Sequence, residues 1–313
     1  MRVLEEAMLI FLHIPKTAGT TFRSVINRFF KPEQILDNDT INSVYCQAHN
    51  IPISSAHLVG LGKTLGWLSP GMKQQTKCLC AHMEYGMHRH FAGPAEYITF
   101  LREPISRAIS AYHHVLRDRN HQLYNEISQG RIEDFFASDL TQRNLQTRLI
   151  SGIRQPSKSG DPEILEAAKE RLRKDFSFFG ITEMFDESMV SFSESRAGKK
   201  FAWPLVFYTK KLGCPILFYT KQNVASNYRR GEPPSRRLIE ILRERNSIDV
   251  EFYKYAVELF RERMASIRGF KRKLQLYRHM NPVCMQFYDS LPPRGKKFLN
   301  NTKESLMTTP FRC

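Results

Sequence analysis

The stretch His13-Ile-Pro-Lys-Thr-Ala-Gly-Thr-Thr-Phe22 joins two segments with different hydrophobic patterns. Before it, the apolar run Met8–Ile14 is too short for a free-standing helix and is typical of a strand buried on both faces. After it, apolar side chains recur every three or four residues from Phe22 to Phe30, which predicts a helix. The sequence therefore predicts a strand, a loop and a helix in immediate succession.

The same order of elements recurs further along the chain. Tyr97–Leu101 is a β-rich run, and Pro104, which suits the first turn of a helix, follows it. Phe178–Ile181 is a third strand candidate, preceded by a helix that Asp161 would cap. Strands that alternate with helices predict an α/β fold with a central parallel sheet and helices on both faces.

The C-terminal part is predicted to be helical. Ser235 and Ser247 are expected to cap two helices there. Beyond them the chain becomes basic and aromatic, and Pro282 and later prolines are expected to break it. We therefore expect one domain over residues 1–268 and a basic extension over 269–313 whose order the sequence leaves open.

The composition is that of a globular protein with a large positive charge. The 313 residues are 42% hydrophobic, which is enough to bury a substantial core. Lysine and arginine number 47 against 31 acidic residues, and the net charge of +16 attracts anions. That charge fits nucleotide phosphates, acidic glycans, nucleic acid, an anionic membrane surface or simply a solvated basic surface.

The cysteines and the apolar runs exclude some classes of protein. Six scattered cysteines favour reduced thiols over a disulfide framework. Cys78 and Cys80 flank one leucine, a spacing too tight for the usual zinc ligand pairs, so we predict no metal site. No segment is long and apolar enough for stable membrane insertion.

The loop after the first strand combines several features that bind phosphate. The N–H groups and the dipole of a helix N-terminus favour negative charge, and Gly19 lets the backbone come close to an anion. Lys16 adds a compact cation, although it precedes Gly19 and so does not form a Walker A sequence. A threonine-rich helix start can also be a simple cap, but a cap needs neither this lysine nor this glycine. The other candidate contacts in the loop are Thr17, Ala18, Thr20 and Thr21.

His13–Phe22 resembles the 5′-phosphosulfate loop of Golgi-type carbohydrate sulfotransferases, especially the heparan sulfate 2-O- and 6-O-sulfotransferases and their bacterial relatives. A second stretch, Ile98-Thr-Phe-Leu-Arg-Glu-Pro-Ile-Ser-Arg-Ala-Ile-Ser-Ala-Tyr112, is similar to the 3′-phosphate segment of that family. The resemblance implies a P-loop-like fold in which Arg102 and Ser110 hold a 3′-phosphate. It also implies 3′-phosphoadenosine-5′-phosphosulfate (PAPS) as cosubstrate and 3′-phosphoadenosine 5′-phosphate (PAP) as product, without a metal. Two strand-to-helix loops at the carboxyl end of a parallel sheet can converge on one ligand.

A looser resemblance concerns the basic-glycine loop of related cytosolic enzymes. It adds Arg229 and Arg230 as candidate ligands of the 3′-phosphate. On physical grounds alone, such an arginine pair is usually solvated surface.

Ala81–His90 resembles the region from which members of the family draw a catalytic histidine. His82 is the preferred general base, because it follows the short apolar run Cys78–Ala81 and would lie at the same sheet edge as Lys16. Lys16 would neutralise the charge that develops on the leaving phosphate. His13 is expected to be a packed supporting residue. The alternatives left open for the base are His88 and Glu84.

The preferred interpretation is thus a PAPS-dependent sulfotransferase that acts on a hydroxyl, preferably of a carbohydrate, and not on nucleic acid. The alternatives are a P-loop nucleotide kinase or hydrolase, which would need Mg²⁺ ligands, and a non-catalytic module that binds a polyanion. Because the first core strand begins soon after Met1, we expect a cytoplasmic protein, or a Golgi-lumen one if the chain is part of a longer eukaryotic enzyme. Acceptor identity and oligomeric state do not follow from the sequence.

Overall fold

A computed structural model describes residues 7–49, 61–138, 142–153, 161–195, 197–198, 218–220 and 234–292. The centre of the described part is a five-stranded sheet with the strand order β2-β3-β1-β4-β5. Each pair of neighbouring strands is parallel. The strands are β1 Met8–Leu12, β2 Ile35–Asp37, β3 Cys78–Ala81, β4 Ala95–Leu101 and β5 Phe176–Ile181.

Helices connect and cover the strands, and most of the described chain outside the sheet is helical. In chain order they are α1 Gly19–Ile26, α2 Asn38–His49, α3 Leu61–Gly66, α4 Pro70–Gln75, α5 Pro104–Arg117, α6 Tyr124–Ser128, α7 Ile132–Ala137, α8 Leu145–Ser151, α9 Asp161–Lys174, α10 Phe185–Glu194, α11 Arg236–Arg245, α12 Ser247–Ala265 and α13 Phe270–Ser290. The first unit, β1 followed by a loop and α1, has the strand–loop–helix order of a P-loop-like fold.

Both faces of the sheet are buried. On one face Ile10 and Leu12 pack with Ala168 of α9 and Phe252 of α12. On the other face Leu9 and Phe11 pack with apolar residues of α1 and α10 and with Tyr277 of α13; this set includes Phe22, Val25, Met189 and Phe192. Each fully buried large side chain contributes about 1.5–3 kcal/mol of hydrophobic stabilisation. The predicted α/β fold with helices on both faces and a helical C-terminal part is confirmed.

Several predicted boundaries need small corrections. β4 and β5 begin two residues before the predicted runs, and β2 was missed because three residues are too few to show a periodic pattern. Ser235 does cap α11, since its hydroxyl accepts a hydrogen bond from Leu238 N at 3.1 Å. Ser247 does not cap α12. It is the first residue of that helix, and the side chain of Asn144 accepts the first N–H groups instead.

Pro282 was expected to break the chain, but it lies inside α13. A proline within a helix removes one backbone hydrogen bond and is tolerated where packing supports the helix. Tyr277, Cys284 and Met285 supply that packing, because all three are buried.

The described cysteines differ in their bonding. Cys46, Cys78 and Cys80 are buried and free, as expected for reduced thiols. Cys284, in contrast, is disulfide-bonded to a partner outside the described residues, so the expectation of reduced thiols is wrong for this residue. In the part of the chain that the structure describes, none of the helices combines the length and the apolarity that a bilayer crossing requires.

Candidate active site

The parallel strands end at one edge of the sheet. Leu12, the last residue of β1, pairs with Ala81 of β3 and with Thr99 of β4. The residues that follow the strand ends therefore meet at this carboxyl edge, where α/β proteins bind ligands. The first residues after β1, β3 and β4 are His13, His82 and Arg102.

The loop between β1 and α1 turns through two left-handed residues. Lys16 has φ +71° and Ala18 has φ +61°, and such conformations cost non-glycine residues about 1–3 kcal/mol each. Phe22 N donates to the carbonyl of Ala18 at 3.2 Å, which starts α1. The buried hydroxyl of Thr17 donates to Ile14 O at 2.8 Å. The single hydroxyl hydrogen of Thr17 is thus used within the loop.

Gly19 is needed because the His13 ring packs against its backbone. A Cβ atom at Gly19 would lie 2.0 Å from His13 Nε2, which no real contact allows. The backbone N–H of His13 donates to Ala81 O at 3.0 Å. The His13 ring stacks on Phe11 with a centroid distance of 5.4 Å. His13 is therefore the packed supporting residue that the sequence predicted. Thr20 is exposed at the start of α1, whereas Thr21 is buried.

Arg102, from the segment after β4, contacts the loop between β1 and α1. Arg102 Nη1 donates to the backbone carbonyl of Lys16 at 3.1 Å, so the guanidinium lies directly under the loop. Burial lowers the pKa of Lys16, and the charges of Arg117 and Arg102 lower it further. Glu183 Oε1 lies 3.9 Å from Arg102 Nε. This arrangement leaves an excess of positive charge beside the loop, which favours an anion.

One face of α5 is directed at the same loop. The charge of Lys16 contributes to the lowered pKa of His114, after burial, and that of Arg117 contributes to the lowered pKa of Lys16. Ser110 lies four and seven residues before these two side chains and so shares their helix face. Ser110 is partly buried and shares a helix face with two residues that lie within electrostatic reach of Lys16.

His82 lies beside His13, with ring centroids 4.6 Å apart. Its backbone N–H donates to Asn38 Oδ1 at 3.1 Å, which fixes the chain where β3 ends. The ring reaches solvent, yet enough protein surrounds it that burial lowers its pKa, and the charge of Arg23 lowers it further. Burial, followed by the charge of His82, lowers the pKa of His13 to about 3. Both rings are therefore neutral near pH 7.

His88 has a different environment. The phenol oxygen of Tyr97 accepts hydrogen bonds from Gly86 N and His88 N, both at 3.1 Å. Its own hydrogen is then donated to His88 Nδ1, at 3.0 Å. Tyr97 lies four residues before the end of β4 at Leu101, about 13 Å along the strand. In the neutral ring the proton lies on Nε2, so neither nitrogen of His88 is free to accept one.

The other predicted site residues fall into two groups. Glu84 lies two residues beyond His82 in the same loop and is partly buried. Arg229 and Arg230 lie outside the described residues. Among the described residues, no group of three or more histidine, cysteine, aspartate and glutamate side chains is arranged to hold a metal ion.

Sequence reasoning missed several residues at this edge. Arg23 pairs with Asp37 at 3.0 Å beside His82, and His114 lies within electrostatic reach of Lys16 and His82. Gln146 contacts the backbone of Arg102. No local pattern marks these residues, because each reaches the site from a different element.

The sequence of the chain is similar to those of known sulfotransferases. The pattern that defines the sulfotransferase family matches residues 1–256. Heparan-sulfate 6-O-sulfotransferase 2 of Mus musculus is 26% identical over 299 residues, which cover 84% of this chain and 45% of the mouse protein. The Gallus gallus protein of the same name is 25% identical over 298 residues and is covered over 69% of its length. The chain thus spans a little under half of the mouse relative.

A search of solved structures found mouse sulfotransferase SULT7A1 complexed with PAP. It has a TM-score of 0.32 and 14% identity, and the match covers 77% of this chain and 64% of that one. Similarity at this level adds nothing to the assignment, which rests on the match over residues 1–256. The chain belongs to the sulfotransferase family.

Proposed function

We propose that this chain is a sulfotransferase that moves a sulfuryl group from PAPS to a hydroxyl of an acceptor carbohydrate. The observation that carries the proposal is the bond between Arg102 Nη1 and Lys16 O, which joins two anion-binding motifs at one sheet edge. Family membership supports the same reaction class.

The donor would be held through its two phosphate ends. The loop from Lys16 to Thr21, with the N-terminus of α1, would bind the 5′-phosphosulfate through backbone N–H groups and the lysine. Arg102 and Ser110 would bind the 3′-phosphate, and a guanidinium suits that role because its donors match phosphate oxygens. Arg229 and Arg230 remain proposed additional ligands of the 3′-phosphate.

The reaction would be an in-line displacement at sulfur. The acceptor oxygen forms a bond to sulfur, while the bond between sulfur and the 5′-phosphate oxygen breaks and leaves PAP. The acceptor proton passes to a general base. Lys16 would neutralise the charge that develops on the leaving phosphate oxygen, a stabilisation comparable to that in phosphoryl transfer.

His82 is the proposed base. It is neutral near pH 7, reaches solvent and adjoins the loop through His13, so an acceptor hydroxyl has access to it. His88 is disfavoured because Tyr97 occupies its Nδ1. Glu84 remains the second candidate, since it follows His82 in the same loop.

The acceptor is proposed to be an anionic glycan. Similar curated proteins are named heparan-sulfate 6-O-sulfotransferases, and the net charge of +16 would attract a polyanionic chain. The proposed catalytic unit is residues 1–268. The remaining stretch, 269–313, would be an extension whose described part adds α13 to the core.

The compartment proposed is the Golgi lumen, and not the cytoplasm. The disulfide at Cys284 supports this choice, because structural disulfides form in oxidising compartments. Alkylation of the unreduced, denatured chain followed by peptide mass spectrometry tests it. Cys284 should be protected in protein recovered from the secretory pathway, and a freely alkylated Cys284 would contradict the proposal.

Transfer of the sulfuryl group is tested by incubating the chain with PAPS and a panel of glycans, with and without prior desulfation. Mass spectrometry should detect a sulfated glycan and an equal amount of PAP, and Lys16→Ala should form neither. Hydrolysis of ATP that requires Mg²⁺, with no sulfated product, would favour the kinase or hydrolase alternative. Glycan binding without PAP formation would favour the non-catalytic module.

A further inference from the structure

The side-chain amide of Gln146 pairs with both backbone groups of Arg102. Arg102 N donates to Gln146 Oε1 at 2.9 Å, and Gln146 Nε2 donates to Arg102 O at 2.8 Å. Gln146 is buried and Arg102 is partly buried, so both bonds are partly shielded from water. Two bonds from one planar amide fix the position and the orientation of the Arg102 backbone where β4 ends.

Asp249, from α12, in turn holds Gln146. Its carboxylate accepts the N–H of Gln146 at 3.1 Å and the N–H and hydroxyl of Thr147 at 2.8 and 2.6 Å. Asn144 makes the reciprocal contact: its Oδ1 accepts hydrogen bonds from the backbone N–H groups of Ile248 and Asp249. The N-termini of α8 and α12 therefore cap each other through buried side chains.

Such a buried carboxylate is costly unless hydrogen bonds and nearby positive charge offset the loss of water. Asp249 is completely buried, and burial raises its pKa, while the charge of Arg107 and the bonds from Thr147 lower it. Arg107 is also buried, and its Nε has no hydrogen-bond partner among the residues that the structure describes. Gln146, Asp249 and Arg107 thus form a buried polar cluster next to the backbone of Arg102. Apolar side chains in the same place would add stability, but they could not fix the orientation of that backbone through hydrogen bonds.

We infer that Gln146 is a positioning residue for Arg102, that Asp249 fixes Gln146, and that together they set the affinity of the site for the 3′-phosphate. The inference rests on the proposed function, because it assigns Arg102 to that phosphate. Small displacements of a binding group weaken its contacts strongly, which is why a fixed backbone matters at this point.

The test is calorimetric binding of PAP and of adenosine 5′-phosphate, which lacks the 3′-phosphate, to the full chain and to Gln146→Met. Methionine keeps the length of the side chain and removes both hydrogen bonds. The affinity for PAP should fall about tenfold, as expected for the loss of about 1.4 kcal/mol. The affinity for adenosine 5′-phosphate should stay nearly the same. Thr76→Val is the matched control, because it removes another partly buried bond, from the Thr76 hydroxyl to Met72 O, at the opposite end of the sheet.

A second comparison separates positioning from general loss of structure. In an Arg102→Ala background, Gln146→Met should weaken PAP binding no further, because its effect acts through Arg102. Thermal unfolding shows whether each variant folds. If Gln146→Met does not fold, Gln146→Glu replaces it, because glutamate keeps the hydrogen-bond acceptor for Arg102 N.

Equal losses for both nucleotides, or additive losses in the double variant, would overturn the inference. So would unchanged PAP binding by Gln146→Met when Arg102→Ala weakens it. If the unmodified chain does not bind PAP at all, the proposed function fails first and this inference with it.

Discussion

The imidazole of His13 occupies the space that a side chain at position 19 would need. The contact of 2.0 Å to a hypothetical Cβ at Gly19 leaves no room even for a methyl group. The ring is stacked on Phe11 and packed against His82, so its displacement would disturb the packing around the proposed base. The His13 ring thus links the shape of the loop between β1 and α1 to the position of His82.

We expect Gly19→Ala to abolish PAP binding, because the new methyl group forces the loop or His13 out of place. Calorimetry would show the loss, and circular dichroism would show that the fold persists. Gly71→Ala is the matched control, since a Cβ there meets nothing within 4 Å and alanine favours α4. Normal PAP affinity in Gly19→Ala would contradict the packing described here.

His13 should make the fold sensitive to acid. Its pKa is about 3 in the folded chain and 6.5 as the ordinary value, so between these pH values the unfolded chain binds the additional proton. The free energy of unfolding should therefore fall as the pH drops below 6.5, by at most about 1.4 kcal/mol per pH unit from this residue. Denaturant unfolding from pH 7 to pH 4 measures the slope.

His13→Asn should be less stable at pH 7 but should show a flatter pH dependence over that range. His279→Asn, at an exposed histidine of α13, serves as the control and should keep the slope of the unmodified chain. An unchanged slope in His13→Asn would show that this ring is not the acid-sensitive group.

His82→Asn should lower kcat about 10²–10⁴-fold and leave PAP affinity nearly unchanged, because a general base acts on the acceptor proton. The pKa of His82 in the free chain lies below 6.5, so the neutral ring persists into mild acid and the acidic limb of kcat/KM should also lie below pH 6.5. Steady-state kinetics from pH 5 to pH 8 measure both effects.

His88→Asn is the matched comparison for His82. It should retain most of kcat, because its ring is bonded to Tyr97 away from the sheet edge. An equal loss of kcat in both variants, or a loss confined to His88→Asn, would assign the base elsewhere.

The parts of the fold predictable from sequence were those with local signals. The run Met8–Ile14, the loop and the apolar spacing after Thr20 lie within one short stretch, and together they predicted β1 and α1. The same holds for β4 and α5, where Pro104 marks the first helical turn and the carboxylate of Glu103 accepts the N–H groups of Ile105 and Ser106.

The contacts that complete the site were not predictable in this way. Asn144 and Asp249 are 105 residues apart, and nothing in either neighbourhood indicates that two helix N-termini meet. Ser247 satisfied the local rule for a cap, but the buried amide of Asn144 reaches the same N–H groups from another element. The apolar run before His82 was enough to predict that this residue lies at the carboxyl edge of the sheet. The bond from its backbone N–H to Asn38 could not be predicted, because it depends on β2 lying next to β3 in the sheet.

The most direct test of the account is calorimetric binding of PAP and of ATP, without added Mg²⁺, to the unmodified chain, Lys16→Ala and Arg102→Ala. We predict that PAP binds more tightly than ATP and that each substitution weakens PAP binding by at least about tenfold, since each removes a charge-assisted contact to phosphate. No PAP binding, or a preference for ATP that appears only with Mg²⁺, would contradict the assignment of this sheet edge to PAPS.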